Sequence, residues 1–374
     1  MIKVGILTSS RADYGIYLPL LKAMLADKIF DLKIIVFGTH LSKLHGNTIT
    51  QIENDGFPIF AKIESLISGD SAHDIASSYA LTTQKFADFW NEKQSEFDIV
   101  FALGDRFEMA AAVAASIPFQ INIAHLHGGE TTLGAIDNIY RHFISLASKF
   151  HFVSTEAFAL RVKELLDSEQ KLVYNIGSLS LENLDNIDFL SKEEFNDKWK
   201  IDLKLDTILV TVHPETIDFE KNKDYSAEIS EALEQLATEY QIVITMPNAD
   251  TNGMIFRNSF NKLAEKNTSI KIIENFGTQS YFTCMKYAKL LIGNTSSGII
   301  EAASFQKYVL NIGNRQKGRL HSNNVINLPF EKEAIILNTK KYITEKYEGE
   351  NIYFQAKPSL KIINILKENY GSIF

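Results

Sequence analysis

The densest group of ionisable side chains in the sequence is Ala124-His125-Leu126-His127-Gly128-Gly129-Glu130, followed by Asp137 and Arg141-His142. Histidines at i and i+2 of a strand end point the same way, and a Gly pair lets a ligand come close to the backbone. Imidazoles and carboxylates gathered in one loop suit general acid–base work. Asp137 can also be read as no more than the N-cap of the helix that carries Arg141. Leu103-Gly104-Asp105-Arg106-Phe107-Glu108 adds a further carboxylate, Asp105. Its spacing to Glu108 is equally that of a capping box. Thr8-Ser9-Ser10-Arg11-Ala12-Asp13 places hydroxyl groups and a cation at a helix start, where N–H groups favour anions. A polar loop with a cap residue explains that run as well.

A second group suits a phosphorylated ligand. Ile292-Gly293-Asn294-Thr295-Ser296-Ser297-Gly298 leads from a strand through small hydroxyl residues into a helix. Bare N–H groups there suit a diphosphate, with Ser296 and Ser297 adding hydroxyls. Glu301, one turn into that helix, is placed to accept from ribose hydroxyls. The alternative is a serine-capped helix. His213, in Thr211-Val212-His213-Pro214-Glu215, ends another strand and can donate to phosphate. Arg315-Gln316-Lys317-Gly318-Arg319 is a local basic patch, and Phe276 can lie against a base or simply fill the core.

The elements that must position these residues are short β-branched runs alternating with helical patterns. Ile2–Leu7, Leu32–Phe37, Pro58–Ile63, Asp98–Leu103, Ile121–His125 and Phe150–Val153 read as strands, with helices such as Tyr17–Ala26, Asp74–Ser95, Arg106–Ser116 and Asp137–Ser148 between them. A second batch follows: Thr207–Val212, Gln241–Met246, Ile270–Glu274, Lys289–Ile292, Tyr308–Ile312 and Asn324–Leu328. Nearly continuous apolar strands suit parallel sheets covered on both faces. The class expected is α/β with two parallel sheets. The polar stretch Leu179–Lys200 marks the junction. The expected domains are 1–177 and 178–357, with a last helix in 358–374 packing back on the first.

Composition narrows the function. The 374 residues carry 38 Lys+Arg against 46 Asp+Glu, a net charge of −8. Such a chain has no global attraction to nucleic acid or an anionic membrane surface, so an anion site must be built locally. A single cysteine, Cys284, leaves no internal disulfide or multi-cysteine metal site. No segment approaches the ~20 apolar residues of a membrane span, and MIKVGILTSS lacks a signal-peptide pattern. A soluble, cytoplasmic protein is expected. There is no P-loop, because Gly313…Gly318 is followed by Arg319; the dinucleotide fingerprint and the nucleophile elbow are missing too.

Taken in order, Gly104-Asp105-Arg106, His125-x-His127-Gly128-Gly129-Glu130, Asp137…Arg141-His142, His213-Pro214, Asn248-x-Asp250, Gly293-Asn294-x-Ser296-Ser297-Gly298…Glu301 and Arg315-Gln316 closely resemble the hydrolysing UDP-N-acetylglucosamine 2-epimerases. The resemblance runs from Arg11 to Arg319. It implies a glycosyltransferase-B-like pair of Rossmann-like domains with the active site in the interdomain cleft. It implies a UDP-sugar substrate, N-acetylmannosamine and UDP as products, and no cofactor or metal. Ser296, Ser297, His213, Arg315 and Arg11 match the diphosphate side, Glu301 the ribose, and Asn248 and Asp250 the sugar. Asp105 and Asp137 match the catalytic carboxylates, with His127 and Glu130 as further acid–base candidates. Many members carry a Glu where this chain has His127; a subset, including some that act on bacillosamine-type sugars, is similar in having His. A homo-oligomer, dimer or tetramer, is expected. The rival readings are a glycosyltransferase, a metal-dependent hydrolase using His125 and His127, and a nucleotide-sugar sensor without turnover.

Overall fold

The computed structural model describes residues 1–42, 47–69, 71–131, 133, 136–167, 172–215, 219–247 and 253–371. The chain forms two compact units: Met1–Glu130 with Asp137–Asp185 and Tyr353–Phe374, and Thr131–Ile136 with Asn186–Ile352. The junction lies inside the polar stretch but later than residue 177. Buried Leu179 and Leu181 carry the helix Leu179–Glu182 into the first unit. The return comes at Tyr353, before 358, where the Ser178 N–H donates to the Tyr353 carbonyl at 2.8 Å. The last helix, Pro358–Asn369, starts on Glu182, which accepts from the N–H and hydroxyl of Ser359 at 2.8 and 2.6 Å.

The first unit holds β1 (Ile2–Thr8), β2 (Phe30–Phe37), β3 (Ile59–Ile63), β4 (Ile99–Leu103), β5 (Ile123–Leu126), β6 (Phe150–Val153) and β7 (Leu172–Asn175). They form one sheet, ordered β3-β2-β1-β4-β5-β6-β7, with every pair parallel. The second unit holds β8 (Thr207–Thr211), β9 (Gln241–Thr245), β10 (Ile270–Ile273), β11 (Leu290–Gly293), β12 (Val309–Ile312) and β13 (Val325–Leu328). These are ordered β10-β9-β8-β11-β12-β13, again all parallel. Both sheets are therefore Rossmann-like. The central strands are fully buried, which explains their apolar runs. In such sheets ligands bind beyond the carboxyl ends of the strands where the order reverses. That is between β1 and β4 in one sheet and between β8 and β11 in the other, and the candidate residues follow these strands or their neighbours.

Two local departures from the sequence reading have physical causes. The first helix begins at Arg11, not Tyr17, because Ser10 caps it. The Ser10 hydroxyl accepts from the Asp13 N–H at 3.3 Å, and the Asp13 carboxylate accepts from the Ser9 and Ser10 N–H groups at 2.8 and 3.0 Å. Arg11 is consequently an exposed residue of the first helical turn rather than of a loop. β7 was not expected: its four residues are only half-buried, so its apolar pattern is weak.

Gly293 is required by close approach. It pairs with Thr211 at the end of β11, at φ +154, and a Cβ there would lie 1.9 Å from the Thr211 carbonyl oxygen. Gly293→Ala must push the two strands apart. A loss of at least about 1–3 kcal/mol in urea unfolding is expected, the usual cost of overpacking; an unchanged midpoint would contradict this geometry.

Candidate active site

In the first unit a buried guanidinium organises the ionisable cluster. Arg141, on the helix Asp137–Leu146, is 3% exposed. Its Nη2 pairs with Asp105, and its Nη1 donates to Glu130 Oε2 and to the His127 carbonyl, both at 3.1 Å. Glu130 is fully buried. Its Oε1 also accepts from the Ser154 hydroxyl at 3.1 Å and lies 2.8 Å from His127 Nδ1. A carboxylate can only accept, so Nδ1 carries the proton of that bond and Nε2 is the nitrogen a ligand can use. A base oriented by a buried carboxylate is the general arrangement of an activated acid–base residue.

The two histidines part company, contrary to the i, i+2 expectation. His125 is the last-but-one residue of β5, but His127 lies beyond it with φ +65. His125 is fully buried, with Nε2 2.8 Å from the Gly104 carbonyl and Nδ1 3.0 Å from the Ser145 hydroxyl. Burial holds its imidazolium down to about 3. It is a neutral structural residue. Gly128 permits this packing, since a Cβ there would meet His125 Nδ1 and Ser145 Oγ at 3.0 Å. Among the described residues no three His, Cys, Asp or Glu side chains converge as metal ligands.

Asp105 is not a cap. The helix after β4 begins at Phe107, with Arg106 at the cap position and no side-chain cap bond. The capping-box reading of Asp105 with Glu108 fails because each carboxylate is taken by an arginine. Glu108 pairs with Arg106 at 2.9 and 3.2 Å. Asp105 turns to Arg141, and its side chain, 25% exposed, is the member of the cluster most open to a substrate. Asp137 opens its helix half-buried. Glu108, and beyond it Asp13 and Asp137, hold the Arg106 guanidinium firmly charged.

In the second unit three strand-end loops are tied into one platform. After β11, buried Asn294 accepts from the His213 N–H at 2.7 Å and donates to the His213 carbonyl at 2.9 Å. Gln316 donates to the Asn294 carbonyl at 2.9 Å. Arg315 Nη1 donates to the Pro214 carbonyl at 3.1 Å, and Glu215 accepts from the Asn314 N–H. His213, Asn294 and Arg315 are thereby fixed relative to one another. Ser296 and Ser297 open a five-residue helix, Ser296–Ile300, whose cap is Thr295. Glu301 is buried at the end of this helix, not one turn inside it. The Tyr281 hydroxyl lies among those of Thr211, Thr295 and Ser297, and burial raises its pKa above the ordinary phenol value. Asn294 and Tyr281 were not among the expected binding residues. Tyr281 has no sequence signal, because an aromatic at helical spacing reads as core. Phe276 is buried, its ring 4.8 Å from Trp199 and 5.4 Å from Phe195, so its faces are already packed. Asn248 and Asp250 lie outside the described residues.

The profile of the UDP-N-acetylglucosamine 2-epimerase family matches residues 22–367. The chain is 37% identical over 327 residues to GDP/UDP-N,N'-diacetylbacillosamine 2-epimerase (hydrolyzing) of Campylobacter jejuni, covering 87% of this chain and 83% of that protein. It is 33% identical over 373 residues to polysialic acid biosynthesis protein P7 of Escherichia coli, covering 98% and 94%. Its fold superposes on the crystal structure of UDP-GlcNAc 2-epimerase from Neisseria meningitidis bound to UDP-GlcNAc, with a TM-score of 0.82 and 16% identity, over 98% of this chain and 100% of that one. The chain belongs to the UDP-N-acetylglucosamine 2-epimerase family.

Proposed function

We propose that the chain is a hydrolysing UDP-N-acetylglucosamine 2-epimerase that converts UDP-GlcNAc and water to N-acetylmannosamine and UDP, for sialic acid synthesis. A base takes the C2 proton while the C1–O bond breaks, its electron pair leaving with UDP. The resulting glycal then takes hydroxide at C1 and a proton at C2 from the opposite face. This route needs an acid and a base beside the sugar and fixed positive charge for the diphosphate. The observation that carries the reading is the Asp105–Arg141–Glu130–His127 cluster, which sets one carboxylate and one imidazole nitrogen open to a ligand on a buried ionic base. Asp105, Asp137 and His127 exchange protons with the sugar. Glu130, fully buried, acts through His127 and Arg141. Ser296, Ser297, His213 and Arg315 hold the diphosphate with Arg11, and Glu301 takes the ribose. The route uses neither nicotinamide nor metal.

A second reading, the same reaction on a UDP-diacetamido-trideoxyhexose, is favoured by the 37% identity to the diacetylbacillosamine enzyme and by His127. NMR of the products from both donors tests the two together. Epimerised free sugar from one donor assigns the substrate, and intact donors in both tubes would reject the function. Self-association is supported by Ile139 and Leu146, one heptad apart on their helix and 69% and 57% exposed. Action in the cytoplasm is supported by the lone, buried, unpaired thiol of Cys284.

The UDP assignment makes its own prediction. Ser297→Ala and Arg315→Ala should each weaken UDP by about 1.5–3 kcal/mol, the worth of a charged hydrogen bond. Calorimetry checks this; unchanged affinity in both variants would move the nucleotide elsewhere.

A further inference from the structure

The amino ends of the second sheet carry charge that the reaction does not use. Lys289 immediately precedes β11, and Lys307 stands two residues before β12. The two segments run side by side where these strands begin, because the Leu291 N–H donates to the Tyr308 carbonyl at 3.2 Å. Lys346 is brought alongside by its neighbour, because the Tyr347 N–H donates to the Gln306 carbonyl at 3.1 Å. Lys192 reaches in from the first residue of the helix Lys192–Trp199, its Nζ 5.1 Å from the centre of the Tyr287 ring. Lys286 shares that ring at 5.7 Å and lies 4.3 Å from the Phe189 ring. The carboxylate paired with this group is Asp206, 3.5 Å from Lys289. Among the described residues Lys307 and Lys346 have no ion pair.

Like charges gathered together repel one another, and a partly buried ammonium without a partner is costly. Burial, with Lys289, Lys346 and Lys192 around it, brings the Lys307 ammonium down to about 8. A chain of net charge −8 has little reason to gather lysines here unless something anionic joins them. We propose that Lys307, Lys289, Lys346 and Lys192 form a second anion site, for a compact phosphate group such as inorganic diphosphate or the phosphate end of a metabolite. Lysines serve as point charges for phosphate, and the rings of Tyr287 and Phe189 hold the neighbouring stems. The site lies at the opposite ends of the strands from His213, Ser297 and Arg315, so it is separate from the nucleotide residues and independent of their assignment.

The test is calorimetric titration of sodium pyrophosphate into the full chain saturated with UDP, at low and at raised salt. Saturable binding is expected, weakening as salt rises, because lysines hold the anion as point charges. Lys307→Gln and Lys346→Gln should each weaken it roughly ten-fold or more. Lys262→Gln, on an exposed face of another helix, should not. Lys346 is exposed, so its variant keeps the test valid even if Lys307→Gln fails to fold. No binding with UDP present, or equal binding in Lys346→Gln and Lys262→Gln, would overturn the proposal. So would failure of pyrophosphate to bind together with loss of self-association in Lys346→Gln, which would assign the lysines to an acidic surface of a second copy.

Discussion

Asp105→Asn and Asp137→Asn should fold, bind UDP normally and release free sugar about 10²–10⁴-fold more slowly, the usual contribution of a general acid or base. Asp105 caps nothing, and its contact with Arg141 survives in the amide, whose oxygen still accepts from the guanidinium. What the substitution removes is the titratable group. Asp137 is the first residue of its helix, so asparagine forfeits only about 0.3–1 kcal/mol of favourable interaction with the helix N-terminus, and the fold is again preserved. His127→Gln should also impair turnover, and the fold should survive it, since the amide can still donate to Glu130. Melting temperature, UDP affinity and rate, measured for each variant, separate the possibilities. Folded variants with near-normal turnover would place the chemistry in another loop.

Arg141→Met should be the most destabilising single change in this cluster. It strands the fully buried Glu130 carboxylate and releases Asp105 at once. Removing one partner of a buried ion pair costs about 3–5 kcal/mol, because the remaining charge is left uncompensated. Arg141→Lys should rescue little, since one ammonium cannot reach two carboxylates and a carbonyl as a planar fork does. The double variant Arg141→Met/Glu130→Gln should lose less than the sum of its parts, because the stranded charge is gone. Urea unfolding of the wild type and the four variants, Glu130→Gln alone included, gives these numbers. A loss below about 1 kcal/mol for Arg141→Met would mean that the cluster is solvated and that Arg141 does not organise it.

The sequence carried the sheets because buried parallel strands are apolar on both faces. The half-buried β7 lacks that signature and went unread. It carried the clusters because polar residues just after such strands stand out. Direction was harder to read. The pairing of His125 with His127 assumed that the strand continues, but a left-handed residue at 127 ends the alternation and sends the imidazoles to different partners. Asp105 and Glu108 have capping spacing, yet each is claimed by an arginine, one of them from a distant helix. Arg141 was visible as a motif residue, but only tertiary packing reveals that it joins two candidate acids. The start of the first helix turned on whether Asp13 closes a capping box with Ser10, which local composition permits but does not require.

The proposed route passes the C2 proton to a base as UDP leaves, and a proton returns on the other face. Turnover of UDP-GlcNAc in deuterium oxide, followed by NMR of the released sugar, tests it in one measurement, with the diacetamido donor as the parallel sample. The account predicts free sugar of inverted configuration at C2, carrying deuterium there, with one UDP for each sugar. Free sugar that keeps its original configuration and its C2 hydrogen would mean plain hydrolysis of the glycosyl phosphate bond, and would contradict the account.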